Sequence, residues 1–424
     1  MKIYYTKIIL FSLIFVSAVY SQKQVDISKL RTNYVLKENV EKRKLKLNEQ
    51  INFLFSQSFN KVDQTQLARQ LYDLNITYTS SDSLDVNILH LLNNWHSLKS
   101  KLKYALFEYV SINFEDKFIS PLKNIFNYES NPAFLAQAAA LLYKNDTGKI
   151  FIDERITKID SQINRENSVN VLRFFREESA DGIQKLPPIR DLLNHDFQKG
   201  KTIIYSFQRK NRIYPGLTVI KNPNGKFLRN KDSSLFSIPQ LAYSVSNMPW
   251  FITNGNTPQG IYSIVGWYIT PTKSIGPTPI ILTRIPYEKP PNIFFHGGNE
   301  QNSWNMADYK NLLPKTWREY SPIYQSYYAG MIGRRLIVMH GSADDLSDYE
   351  GKPFYPLSPT RGCLSSKEIW SDTTGECLES DQVKLVNAFF STKQLKGFLV
   401  VVEIDDKEEP VIIKDVEQFI NQAD

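Results

Sequence analysis

The sequence predicts a multidomain α plus β chain, with an all-α first part and a mainly β second part that carries a few helices. Three observations point there. Apolar residues recur at helical spacing up to about residue 188, as at Leu67, Leu71 and Leu74. The proline pair in "KLPPIRD", Lys185–Asp191, then ends that pattern. Beyond it, β-branched and aromatic runs are punctuated by Gly, Pro and Asn. With 424 residues, 42% apolar and 22% charged, the chain has ordinary globular composition and can bury real cores.

The elements follow in order. Lys2 and Lys7 precede or flank the start of an apolar run, Ile8–Val19, that is too short to span a bilayer comfortably. Val19 and Ser21 occupy the −3 and −1 positions of a cut before Gln22, so residues 1–21 read as a signal peptide. An uncleaved anchor is the alternative. No other apolar run is long enough for a transmembrane helix, so no stable span is expected after cleavage, and the mature chain is expected to be exported to the periplasm or cell envelope. Residues 22–190 read as a helical domain of unassigned role. In it "NPAFLAQAAALLYKND" opens with Asn131 as cap and Pro132 at the first helical position. "EKRKLKLNE", Glu41–Glu49, reads as one charged helix face. No repeat period is visible.

Residues 198–405 read as a β-rich domain. Strands are expected at Thr202–Phe207, Gly216–Ile220, Gly260–Ile269, Thr278–Ile285, Asn292–His296, Arg334–His340 and Gly397–Ile404. Helical pattern returns around Glu368 and at Asp381–Phe390. Residues 406–424 form a tail, with an amphipathic helix from Pro410 onward.

The net charge is +7 and the pI about 9.0, which favours anionic partners such as a wall polymer. No dense Lys/Arg block with interleaved aromatics appears, which argues against nucleic acid. Aromatic residues reach 13%, in keeping with a wide binding face.

The chemistry concentrates in "SPTRGCL", Ser358–Leu364. A nucleophilic cysteine needs a stabilised thiolate, a nearby base and donors for the developing oxyanion. Arg361 stands two residues before Cys363, and "SSKEIW" after it can start a helix, so cationic side chain and helix end would both lower the thiol pKa. Gly362 lets successive N–H groups turn toward one point. There are only five histidines. His90 and His96 lie in the helical part beside apolar residues, and His195 lies at the boundary. His296 and His340 each end an apolar run and precede a glycine, in "FFHGG" and "VMHGS".

Taken together, "VMHGS … SPTRGCL" resembles the signature of the L,D-transpeptidase catalytic domain. "NTPQGIYSIVG", Asn256–Gly266, resembles the Thr-Pro-x-Gly turn and strand that lie upstream of that family's histidine. The resemblance covers the second half of the chain and none of the helical half. It implies a cysteine nucleophile that attacks peptidoglycan tetrapeptide stems, expels D-Ala and forms a thioester. An amine of a second stem then resolves the thioester as a 3→3 cross-link, whereas resolution by water would make the chain an L,D-carboxypeptidase. On this resemblance Cys363 is the nucleophile, His340 the general base and then acid, and the Gly341 carbonyl holds the imidazole tautomer. The N–H groups of Gly362 and Cys363 donate to the oxyanion. Arg361, Thr360, His296 and Trp267 are the expected substrate contacts. No cofactor is implied, and the His and Cys spacings give no zinc ligand set.

Two positions depart from the family. Arg361 stands where His is usual, and Ser365 where Asn or Arg is common. Arg361 cannot shuttle a proton at neutral pH but can hold a carboxylate or stabilise a thiolate. Four alternatives stay open at this level. Cys363 can pair with Cys377 in an oxidising compartment. The domain can be a degenerate binder of wall peptide. The same dyad can serve another Cys peptidase or amidase, and His296 can be the base instead of His340.

Overall fold

The computed structural model describes residues 24–58, 61–165, 171–180, 184–297 and 303–421. The expected signal peptide, 1–21, lies outside them. The first half is helical: α1 (Lys37–Ser56), α2 (Gln64–Ile76), α3 (Asp82–Asn93), α4 (Ser100–Ile112), α5 (Ile119–Tyr128), α6 (Pro132–Leu142), α7 (Asp146–Asp153), α8 (Ile156–Arg165), α9 (Val171–Ala180) and α10 (Ile189–Asn194). The Asn131 side chain accepts from the Ala133 N–H at 2.9 Å, which is the cap its sequence predicts. No helix among the described residues is long and apolar enough to cross a membrane.

The second half holds β1 (Thr202–Arg209), β2 (Gly216–Lys221), β3 (Ser237–Gln240), β4 (Gly260–Tyr268), β5 (Ile280–Arg284), α11 (Pro291–Phe294), α12 (Met306–Asn311) and α13 (Gln325–Met331). Then come β6 (Met339–His340), β7 (Leu364–Ser365), β8 (Glu368–Trp370), β9 (Cys377–Ser380), α14 (Asp381–Ser391), β10 (Gly397–Asp405) and α15 (Ile413–Asn421). The main sheet has the order β3-β2-β1-β10-β4-β5-β6-β7. β1/β10 and β6/β7 are parallel and the other neighbours antiparallel. It nearly closes on itself: Leu241, just past β3, exchanges two backbone hydrogen bonds with Ser365 of β7, at 2.8 and 2.9 Å.

Both faces of the sheet are covered, which is why its central strands read as continuous apolar runs. Along β1 and β10, Ile203, Tyr205, Phe207, Phe398, Val400 and Val402 enter one core with α10 and α15. Ile204, Leu399 and Val401 enter the other, where Leu385 and Phe389 of α14 share one cluster with the helical half. The paired prolines therefore do not separate two independent cores. α10, at the predicted boundary, packs on the sheet.

Three predicted elements differ. Asn292–His296 is not a strand but the short helix α11 and a turn, started by Pro290 and Pro291. Only Met339–His340 of the run 334–340 pairs in the sheet. "SSKEIW" starts no helix: Ser365 ends β7, and Glu368–Trp370 pairs with β9. The thiol thus has no helix N-terminus beside it. Thr202–Phe207, Gly216–Ile220, Gly260–Ile269, Thr278–Ile285, Gly397–Ile404, the α14 helix and the tail helix are present within a few residues.

Arg209 ties the tail down. Fully buried, its guanidinium forks onto both Asp405 carboxylate oxygens and onto Asp415 of α15, all at 2.7 Å. Arg209→Met should cost about 3 kcal/mol in urea unfolding, because two carboxylates lose their partner. Asp415 is held below its ordinary pKa by the Ile412 N–H, Lys407 and Arg209, against the opposing effect of burial. Its contribution is present above the ordinary Asp range and is lost as the pH falls through the depressed folded value. Arg209→Met should weaken that acid dependence, the Ile412 N–H and Lys407 sustaining the rest; an unchanged profile would contradict it.

Candidate active site

His340 and Cys363 come together at the place where the sheet closes. β6 and β7 run parallel with Met339 opposite Leu364 and His340 opposite Ser365. Cys363 immediately precedes β7, so nucleophile and base candidates sit on neighbouring strands. Both line one cavity of about 580 Å³. The Thr-Pro-x-Gly turn reaches the same loop: the Thr257 hydroxyl donates to the Gly362 carbonyl at 3.0 Å. Three segments that the sequence only places in order are thus in contact.

His340 is buried. Its Nδ1 lies 2.5 Å from the Gly341 carbonyl oxygen. A carbonyl accepts only, so Nδ1 carries the hydrogen and Nε2 keeps its lone pair. Burial lowers the imidazole pKa, with the Gly341 carbonyl acting the other way. Gly341 has its own support. A Cβ there would fall 2.1 Å from the Glu368 carboxyl carbon, so that carboxyl rests directly against the Gly341 backbone. Burial pushes Glu368 up to about 8, and the Ser380 hydroxyl donates to its Oε1 at 2.6 Å.

The Cys363 thiol donates to the Leu336 carbonyl at 3.4 Å rather than to the imidazole. Burial pushes it up to about 11, opposed by the Val338 N–H and by Arg334. The resting pair is therefore a neutral thiol beside a neutral imidazole. Gly362 takes φ +109°, a conformation that favours glycine. Its N–H is not turned to the thiol: it donates to the Thr360 hydroxyl at 3.1 Å, and that hydroxyl donates to the Cys363 carbonyl at 2.8 Å. The Cys363 N–H has no acceptor among the described residues. Of the two expected oxyanion donors, Cys363 is open and Gly362 is engaged by Thr360.

Arg361 does not face the thiol as a free cation. Its guanidinium holds Glu108 of α4 at 3.0–3.2 Å and donates to the Tyr72 carbonyl of α2 at 2.5 Å. Burial works to lower its pKa, but Glu108 outweighs this and holds it above the ordinary value. Glu108 also accepts from Asn75 and from Asn254, so one buried carboxylate joins α2, α4, the 250–256 loop and the cysteine loop. The helical half thereby becomes the far wall of the cavity. α1 contributes Val40, Arg43, Leu47 and Gln50, and α2 contributes Gln70 and Asp73. The charged run at 41–49 is thus not simply a solvated face: Arg43 stacks on Tyr34 at 3.6 Å, and Lys44 pairs with Asp345 and Asp348 at 2.7 and 2.6 Å.

The remaining predicted residues lie elsewhere. The His296 Nε2 is 2.8 Å from the Gly397 carbonyl oxygen and its ring packs on Phe398, in the opposite core. Trp267 packs on Phe390 of α14. Neither lines the cavity. Cys377 is a free buried thiol in β9, as Cys363 is free in its loop. Among the described residues no group of three His, Cys, Asp or Glu side chains is placed to hold a metal. Sequence reasoning missed Glu108, Glu368 and Arg334; nothing local to Glu108 signals a partner 253 positions away.

The chain matches no protein-family model, no curated protein and no solved structure.

The Arg361–Glu108 pair has a direct test. Glu108→Gln strands the guanidinium and should cost about 2 kcal/mol, below the full penalty of a buried pair because Arg361 is partly exposed. Paired with Arg361→Gln in a double-mutant cycle read by urea unfolding, the two losses should not add. Simple additivity would mean the contact contributes nothing.

Proposed function

We propose that this chain is a cysteine acyltransferase acting on peptidoglycan stem peptides, an L,D-transpeptidase in reaction class. The single observation that carries the reading is the convergence of His340 and Cys363 on one cavity at the sheet's closing edge, with the Thr257 turn bonded to the cysteine loop. The motifs suggest the reaction class, and a free thiol at Cys363, an imidazole whose Nε2 keeps its lone pair and an open N–H at Cys363 support it.

The steps follow from the protonation states. Nε2 of His340 takes the thiol proton as sulfur attacks the peptide carbonyl carbon. A weakly basic imidazole and a weakly acidic thiol make an ion pair costly before substrate arrives, so the proton moves with the attack. The tetrahedral oxyanion points to the Cys363 N–H. The carbon–nitrogen bond breaks, Nε2–H protonates the departing amine, and a thioester remains on Cys363. An incoming amine then attacks the thioester carbon and gives a proton to Nε2, which returns it to the departing sulfur. Water in place of the amine gives hydrolysis. Two observations favour a second reading: the thiol donates to Leu336 and Arg361 is committed to Glu108, an arrangement that also suits a wall-peptide binder without turnover.

A carbapenem separates the two, since its strained acyl group acylates an active thiolate. Intact mass should show one adduct on the full chain and none on Cys363→Ala. The acylation rate should persist below the ordinary imidazole pKa of 6.5, because burial keeps His340 neutral there. His340→Ala should slow acylation by about 10²–10⁴-fold, the usual range for a general base. Absence of any adduct with both thiols free would sink the transferase reading and leave the binder.

A further inference from the structure

We propose that Arg334 is the standing counter-ion of the Cys363 thiolate, a positioning residue that sets how readily the nucleophile forms. Its side chain is 8% exposed. Its guanidinium donates only to main-chain carbonyls of one loop: Trp250, Gly255 at 2.8 Å and Asn256 at 2.8 Å. It makes no ion pair with a carboxylate among the described residues. A buried cation held by neutral dipoles keeps a net charge that carbonyls cannot cancel, and burying it without an anion is expensive. Such a charge persists where an anion forms beside it.

The cysteine loop is where that anion would form. A Cβ on Gly362 would lie 2.2 Å from Arg334 Nη2, so the guanidinium rests against the backbone of the residue before the nucleophile. Glycine at 362 thus has a second function besides its φ: it admits the cation. Arg334 and Cys363 are electrostatically coupled, the cation favouring the thiolate and the thiolate favouring the cation. The other groups that face this pair are few. Glu288 opposes the thiolate and is held by the N–H groups of Leu336 and Ile285 at 2.8 and 2.9 Å. The phenol of Tyr262 is coupled to both Arg334 and Cys363. His340 lines the cavity beside Cys363 and is neutral at rest. Arg361, the cation that sequence proximity nominates, is spent on Glu108. Arg334, twenty-nine positions earlier by number, takes the role instead.

The test reads the thiol and needs no peptide substrate. The full chain, in a Cys377→Ala background, is alkylated with iodoacetamide at fixed pH values between about 8 and 10, below the midpoint of the thiol, where the rate is proportional to the thiolate fraction, and is followed by intact mass. Arg334→Gln should slow alkylation by about tenfold or more, the usual effect of losing an adjacent opposite charge. Arg334→Lys, which keeps the charge and loses the planar fork, should stay within about threefold of wild type. An unchanged rate in folded Arg334→Gln overturns the proposal. Should the Gln variant fail to fold, the Lys variant decides alone, and a loss as large as about tenfold in it assigns Arg334 to loop architecture. Because carbapenem acylation of wild type is scored separately, failure of the transferase reading leaves this result intact, and the reverse holds too.

Discussion

The site depends on the closure of the main sheet. β7 has two residues, yet it lies between β6 on one side and the chain leaving β3 on the other. Those pairings fix the backbone of Leu364 and Ser365, and through them the position of the residue just before. Ser365, the point where the resembled family carries Asn or Arg, is fully buried here, and its hydroxyl is turned to the Ser358 carbonyl. A long charged side chain would have no room at that seam. A cation reaches the cysteine loop instead from the 334–338 segment, which also delivers the Leu336 carbonyl and Val338 N–H to the sulfur.

Burial then governs the chemistry. Desolvation disfavours charge on the groups nearest the thiol and on one carboxyl of the wall: it lowers His340, raises Cys363 to about 11 and raises Asp344 to about 6. A site built this way is quiet at rest. Any charge that forms there would be stabilised by fixed dipoles and by cations already in place, which need no reorganisation.

Much of this was legible in the sequence, for reasons that can be named. β1 and β10 were visible because strands buried on both faces read as unbroken apolar runs. α6 was visible through Asn131 and Pro132. His340, Cys363 and the Thr257 turn were visible because their chemistry is written in short local motifs. "FFHGG" misled because α11 is one turn long, and four residues carry no period that separates helix from strand. "SSKEIW" misled because strand pairing with β9 overrode a weak helix preference. Arg361 was singled out by adjacency along the chain, but its partner Glu108 lies 253 positions away, a distance no local pattern reports.

The contact between Arg361 and Glu108 also bears on how such a chain can change over generations. Arg361, two residues before Cys363, anchors a helical wall, so the two halves are not expected to vary freely. Loss of Arg361 would expose Glu108 as a buried lone anion, while loss of α4 would leave the cysteine loop holding an unsatisfied cation. The β-rich half taken alone and fused to another partner would carry that defect with it. The two halves are expected to be inherited, lost and recombined as one piece, with positions 108 and 361 changing together.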